Sequence, residues 1–378
     1  MQYRKFGKLD FEVSALGFGC MRFPVIDNDS SKIDEEEATK MLRYAIDNGV
    51  NYIDTAYPYH QKMSEPFVGR ALKDGYREKV KLATKLPIWL CEKYEDFEKY
   101  LDEQLEKLQT DYIDFYLVHA LNKDTWKTCK ELDVFKFLDK AIESGKIKYA
   151  GFSFHDELDL FKEITDAYDW TFCQIQLNYM DEYYQAGLEG LKYAADRDLA
   201  VIIMEPLKGG KLAKKPSEDI KKIWSKSETE RTPAEWALRW VWNFPEVTLL
   251  LSGMSTMEQI KENIETSKDA YPKSLSKKEV ELIDEVKEIY KDKTKIGCTE
   301  CKYCMPCPND VMIPNIFSLY NDGHMYSIKD EVKNTYNKIM EREKDGSKCI
   351  ECGKCERECP QNLPIIEHLK TIHKEFAN

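Results

Sequence analysis

The sequence contains no run of 18 apolar residues, and its opening stretch, MQYRKFGKLDFEV, lacks the apolar centre of a signal peptide. No membrane partner is therefore expected, and the cytoplasm is the expected location. Basic charge is also in deficit: 56 Lys and Arg against 68 Asp and Glu give a net charge of −12. That balance counts against nucleic acid or an anionic membrane surface as the main partner. No G-x-G-x-x-G opens a helix after the first strand, which argues against a doubly wound dinucleotide-binding sheet. Cysteine is scarce in the first 290 residues or so, where only Cys20, Cys91, Cys129 and Cys173 occur among the chain's 12. These scattered thiols read as small buried hydrophobes. A disulfide framework suits short secreted chains, and this one is neither short nor visibly secreted.

Ample core material is present, with 42% hydrophobic and 33% charged residues. Eight apolar, β-rich runs begin at Leu16, Val50, Lys79, Tyr112, Ile147, Thr171, Leu199 and Val247. Most are continuous rather than alternating, as parallel strands covered by helices require. Amphipathic segments separate them. In DEEEATKMLRYAIDNG, Asp34 is placed to cap a helix whose apolar stripe is Ala38, Met41, Leu42, Ala45 and Ile46. EDFEKYLDEQLEKL repeats the pattern through Phe97, Leu101, Leu105 and Leu108. Strand–helix units repeated in this way over about 260 residues predict an α/β fold, a (β/α)8 TIM barrel. SLSKKEVELIDEVKEIY, from Ser274, reads as a further helix packing back on that barrel. The polar stretch KDKTKIG, from Lys291, marks a boundary, giving a barrel over 1–292 and a small, mainly helical, cysteine-bearing domain over 293–378.

Barrel chemistry gathers where strands end. The predicted strand ends carry Asp54 and Tyr59, then Lys85, then His119. Each has a bland reading as a cap, a surface charge or a core histidine, but four at consecutive strand ends form a set. A phenol is a reluctant acid at neutral pH. An ammonium beside it stabilises the phenolate, a carboxylate holds that ammonium charged, and a histidine orients a carbonyl oxygen. The hydride for carbonyl reduction must come from a cofactor.

FGKLDFEVSALGFGCM, NYIDTAYPYH, ATK, LVHA, GFSFH, CQIQLNY, EPLKGG and SGMSTMEQIKEN stand in the order and spacing of the aldo-keto reductase superfamily, which residues 1 to about 290 resemble. The resemblance implies a barrel with a nicotinamide cofactor, NADP or NAD, across its mouth, and a small carbonyl or alcohol substrate. It makes Tyr59 the general acid, Lys85 and Asp54 its tuning pair, and His119 the orienting group. It sets Ser153 and Gln174 against the nicotinamide carboxamide, with Met21, Asp54, Pro206 and Leu207 along the cofactor. Met204 stands where an aromatic ring often stacks on the nicotinamide. Gly253 and Gln259 stand where basic residues commonly clasp a 2′-phosphate, while Glu262 and Asn263 keep the adenine end. The family's usual S-N-F after the fifth strand appears as Ser153-Phe154-His155, so an amide-binding asparagine is missing. These departures leave NADH against NADPH open, and leave a flavin as an alternative cofactor.

The remaining eight cysteines form two runs, CTECKYCMPCP from Cys298 and CIECGKCERECP from Cys349. The second is a full C-x2-C-x2-C-x3-C-P, the spacing of a cubane ligand set; in the first, the fourth cysteine arrives one residue early. Zinc, preferring two separated C-x2-C knuckles, is the competing reading. In two-cluster ferredoxins the fourth cysteine of each run crosses to the other cluster. Applied here, Cys298, Cys301, Cys304 and Cys359 hold one 4Fe-4S cluster, and Cys349, Cys352, Cys355 and Cys307 hold a second. A one-cluster version, with Cys307 outside the ligand set, is the alternative. The leading functional expectation is an oxidoreductase with a hydride-handling barrel and one-electron centres serving an electron-transfer protein. A nucleotide-binding redox or iron sensor, and an active reductase with purely structural clusters, are the alternatives.

Overall fold

The computed structural model describes residues 1–298, 304–359 and 361–377. Two compact units are formed, one from Met1–Ala213 with Ala234–Ser276, the other from Lys214–Pro233 with Lys277–Asn378.

In the first unit two short strands, β1 (Tyr3–Lys5) and β2 (Glu12–Ser14), pair antiparallel. Eight parallel strands follow: β3 (Leu16–Gly19), β4 (Tyr52–Asp54), β5 (Lys81–Leu86), β6 (Ile113–Leu121), β7 (Ile147–Phe154), β8 (Phe172–Gln176), β9 (Ala200–Met204) and β10 (Val247–Ser252). They close in sequence order, β10 pairing with β3 and with β9. All eight expected strands are thus present. The opening hairpin is the addition, and it plugs the barrel at the start of its strands. Phe6 is fully buried there among Tyr52, Phe115 and Phe172, its ring 4.4 Å from that of Phe115. The opposite, C-terminal end is left as the open mouth.

The covering helices form for the reasons their sequences give. In Glu35–Asp47 the Asp34 carboxylate accepts from the Glu37 N–H, three acids occupy the first turn, and Ala38, Met41, Leu42, Ala45 and Ile46 are buried. Helix Glu95–Leu108 differs from expectation at one position: Gln104 is buried while Leu105 is not fully so. The Gln104 amide donates to the buried Glu65 carboxylate and accepts from the Tyr116 hydroxyl, and these bonds compensate its burial.

The second unit is helical. Helix Lys277–Asp292 packs within it against helix Glu218–Trp224, with Arg231 paired to Glu279 and Lys226 to Glu285. The sequence marked this segment as a helix packing back on the barrel; in the structure it belongs to the second unit, burying Leu282, Ile283, Val286 and Tyr290. Helices Ile313–Met325, Lys329–Glu341 and Ile365–Phe376 share a core that includes Phe317, Tyr336, Leu369 and Phe376. Among the described residues, no helix is long and apolar enough to cross a membrane.

Candidate active site

β4 ends on Asp54, and Tyr59 begins the short 3-10 turn that follows it. Lys85 is the penultimate residue of the neighbouring strand β5, and His119 lies near the end of β6. Parallel pairing aligns Asp54 with Ala83, so Lys85 reaches back across one strand to the carboxylate. Its Nζ donates to both Asp54 oxygens at 2.7 Å and to the Thr55 carbonyl at 2.8 Å. All three ammonium protons are thereby used, which offsets the desolvation of a fully buried cation. The same Nζ lies 5.1 Å from the centre of the Tyr59 ring.

Burial alone would push the Lys85 pKa down, but the combined pull of Asp54 and Tyr59 holds it above its usual value. Asp54 is raised by burial, with Lys85 opposing. Tyr59 is also raised by burial, although Lys85 pulls it down. The expected effect of the ammonium is present, but desolvation outweighs it. His119 is held well below the usual imidazole range, first by burial, then by Lys85 and His155. It is a neutral hydrogen-bonding group at neutral pH. Its Nδ1 is buried without a partner, and its ring lies 6.3 Å from Tyr59 and 5.1 Å from Trp89.

Above these groups opens a cavity of about 290 Å³, lined by Asp54, Tyr59 and His119. Of the residues expected along a cofactor, Met21, Ser153, Gln174, Met204, Pro206, Leu207 and Gly253 also line it. Gln259, Glu262 and Asn263 do not; they lie on helix Met257–Ser267, beyond β10. There the Gln259 side chain accepts from the Ser255 N–H, and Asn263 donates to the Ser252 hydroxyl at 3.0 Å.

The floor of this cavity suits a nicotinamide carboxamide. Gln174 Oε1 is buried without a hydrogen-bond partner, and its Nε2 meets only the Met204 sulfur, at 3.5 Å. Ser153 Oγ accepts from the Ala120 N–H at 2.7 Å and so keeps its own proton to donate. A ligand amide answers both, its carbonyl taking the serine proton and its NH2 donating to Gln174. His155, Glu205 and Arg22 also line the cavity. His155 entered the sequence reading only as the last residue of Ser153-Phe154-His155; Glu205 and Arg22 were not picked out, because isolated charged residues in loops carry no periodic signal.

In the second unit Cys307, Cys349, Cys352 and Cys355 line one pocket, walled by Val311, Ile313, Ile366 and Leu369. This brings the early cysteine of the first run to the first three of the second. Cys298, Cys304 and Cys359 are partly buried against the same helical core. Cys301 lies outside the described residues. Among the described residues, no three His, Cys, Asp or Glu side chains are grouped to hold a single metal ion. Cys20, Cys91, Cys129 and Cys173 are buried free thiols, as expected.

The aldo/keto reductase family model matches residues 15–288, and the 4Fe-4S dicluster domain model matches residues 297–363. A probable aldo-keto reductase 1 of Glycine max is 36% identical over 157 residues, which is 39% of this chain and 44% of that protein. The uncharacterized oxidoreductase YrpG of Bacillus subtilis is 26% identical over 327 residues, covering 76% of this chain and 96% of its own. Among solved structures, the holo form of aldo-keto reductase AKR11C1 from Bacillus halodurans matches with a TM-score of 0.62 at 27% identity. That match covers 75% of this chain and 96% of AKR11C1.

Proposed function

The chain belongs to the aldo/keto reductase family, and we propose that its barrel reduces an aldehyde or ketone, or runs the reverse oxidation, with NADH or NADPH. The observation that carries this reading is the buried Asp54–Lys85 pair beneath Tyr59, at a cavity that His119 shares. When bound, the reduced nicotinamide supplies the hydride. Ser153 and Gln174 would hold its carboxamide, the serine hydroxyl donating and the Gln174 Oε1 accepting. The substrate oxygen sits between the Tyr59 hydroxyl and the His119 ring. Neutral His119 donates a hydrogen bond rather than a proton, and so orients the carbonyl. Tyr59 gives up its proton as negative charge grows on that oxygen; Lys85 stabilises the phenolate left behind, and Asp54 keeps Lys85 charged and in place. Tyr59→Phe removes the acid and leaves the cavity's shape. Turnover of a reducible carbonyl then falls about 10²- to 10⁴-fold with NADH or NADPH binding retained. Undiminished turnover overturns the assignment.

The same proposal gives the C-terminal domain two 4Fe-4S clusters that exchange single electrons with an electron-transfer protein. Cys307, Cys349, Cys352 and Cys355 hold one, and Cys298, Cys301, Cys304 and Cys359 the other. The shared pocket of the first four supports their grouping. Cys352 is exposed and Ile350 is 62% exposed, so that pocket borders solvent, as exchange with a separate carrier requires. Cys307→Ser lowers bound iron, assayed in anaerobically purified protein, from about eight to about four atoms per chain. Unchanged iron removes Cys307 from the ligand set.

A further inference from the structure

Tyr59 is followed by three consecutive residues in left-handed backbone, none of them glycine: His60 at φ 50°, Gln61 at φ 52° and Lys62 at φ 74°. In that conformation a Cβ crowds the next carbonyl, so such residues occur singly unless their surroundings hold them. Here they carry the chain from Tyr59 to helix Ser64–Ala71. Gln61 and Lys62 are exposed, and of the three only His60 is buried.

The His60 ring supplies the restraint. Its Nε2 accepts from the Phe23 N–H at 3.2 Å, and its Nδ1 lies 2.9 Å from the Ser30 carbonyl. An amide N–H only donates and a carbonyl only accepts, so both ring positions are assigned: Nε2 is bare and Nδ1 carries the proton. An imidazolium would set donor against donor at Phe23. Burial holds the ring below its usual pKa, in keeping with the neutral form.

Phe23 and Ser30 belong to the excursion that follows β3, which is stiffened by its own bonds. Val25 pairs antiparallel with Ile33, and the Asp34 N–H donates to the Pro24 carbonyl at 2.9 Å. One ring thus grips that excursion at its foot and at its turn, where Gln61 Nε2 adds a bond to Ser30 Oγ at 2.7 Å. The Phe23 ring closes the contact, 5.8 Å from His60 and 4.8 Å from Phe67 of helix Ser64–Ala71.

We infer that His60 is a positioning residue for the reaction, clamping the strained turn after Tyr59 to the excursion after β3 and so fixing where the Tyr59 hydroxyl stands over the Asp54–Lys85 pair. This rests on the reading of Tyr59 as the general acid. A ring that only filled space could be replaced by a hydrocarbon of similar bulk. A clamp needs one acceptor and one donor.

The test compares the full chain with His60→Leu, His60→Gln and Tyr59→Phe, for turnover of a reducible carbonyl and for NADH and NADPH affinity by isothermal titration. Leucine keeps apolar bulk and loses both bonds; glutamine restores an acceptor and an NH2. His60→Leu lowers kcat about 10- to 100-fold, the loss that a misplacement of about 1 Å brings. Nucleotide Kd is retained, because Ser153 and Gln174 stand on other strands. His60→Gln recovers most of the lost kcat. Full kcat in His60→Leu overturns the assignment, as does an equal loss in both His60 variants or a loss that appears only as weaker nucleotide binding. The wild-type chain gives an independent check should a variant fail to fold. Its imidazole nitrogen–proton NMR spectrum at neutral pH shows His60 neutral and protonated on Nδ1; a proton on Nε2 overturns the clamp. Turnover left intact by Tyr59→Phe overturns the general-acid reading itself. Turnover lost in Tyr59→Phe but kept in His60→Leu removes this assignment alone.

Discussion

Tyr59 faces two opposing influences, and their balance sets the pH behaviour of the reaction. Burial raises its pKa above the usual 10 while Lys85 lowers it, and burial prevails. A general acid must carry its proton, so the reductive direction keeps its active form through neutral pH and loses it only as pH climbs past that raised value. His119 titrates well below 6.5 and adds no step near neutrality. On the acid side, Asp54 is the group to protonate; its pKa is raised by burial, and neutralising it releases Lys85. The kcat/KM for carbonyl reduction is therefore flat through neutral pH, falling on the acid side as Asp54 is protonated and on the alkaline side above the ordinary tyrosine range. A histidine-like step near 6.5 contradicts the neutral His119. Asp54, Lys85 and His119 drew notice in the sequence because each stands at or near the end of an apolar run, with Tyr59 five residues past Asp54, and strand ends are where a barrel exposes side chains. His60 was not picked out beside them: what singles it out is its bonding to Phe23 and Ser30, 37 and 30 residues away in the chain.

Elements here meet through backbone as well as side chains. Helix Ser64–Ala71 crosses the end of helix Glu95–Leu108 at Gly69, where a Cβ would come within 2.5 Å of the Lys107 carbonyl and 2.7 Å of the Leu108 carbonyl carbon. Gly69→Ala should improve helix propensity by up to about 1 kcal/mol, yet the contact is backbone and cannot rotate away. Net destabilisation of about 1–3 kcal/mol is expected, read from urea midpoints. A raised midpoint would show that the helices can separate freely. Apolar spacing located both helices, but it gave no account of their closest point. The same limit applies to Gln104, a polar residue buried because Glu65 and Tyr116 await it on other elements. The hairpin of β1 and β2 escaped sequence reading because strands of three residues are too short for a period to register.

At the scale of the whole molecule, one chain joins a barrel of the aldo/keto reductase family to a region that matches a 4Fe-4S dicluster domain. The sequence made both parts visible for different reasons: the barrel through repetition of strand and helix, the cluster domain through cysteine spacing alone. The early cysteine of CTECKYCMPCP was the ambiguous position, and folding brings Cys307 to Cys349, Cys352 and Cys355. The barrel's chemistry is tested most directly by isotope. Reduction of a carbonyl substrate with NADH or NADPH deuterated at the transferred position of nicotinamide C4 should place one deuterium on the carbinol carbon. Alcohol formed at an undiminished rate without that label would contradict direct hydride transfer at Tyr59, and would move the reduction to a flavin or to the clusters.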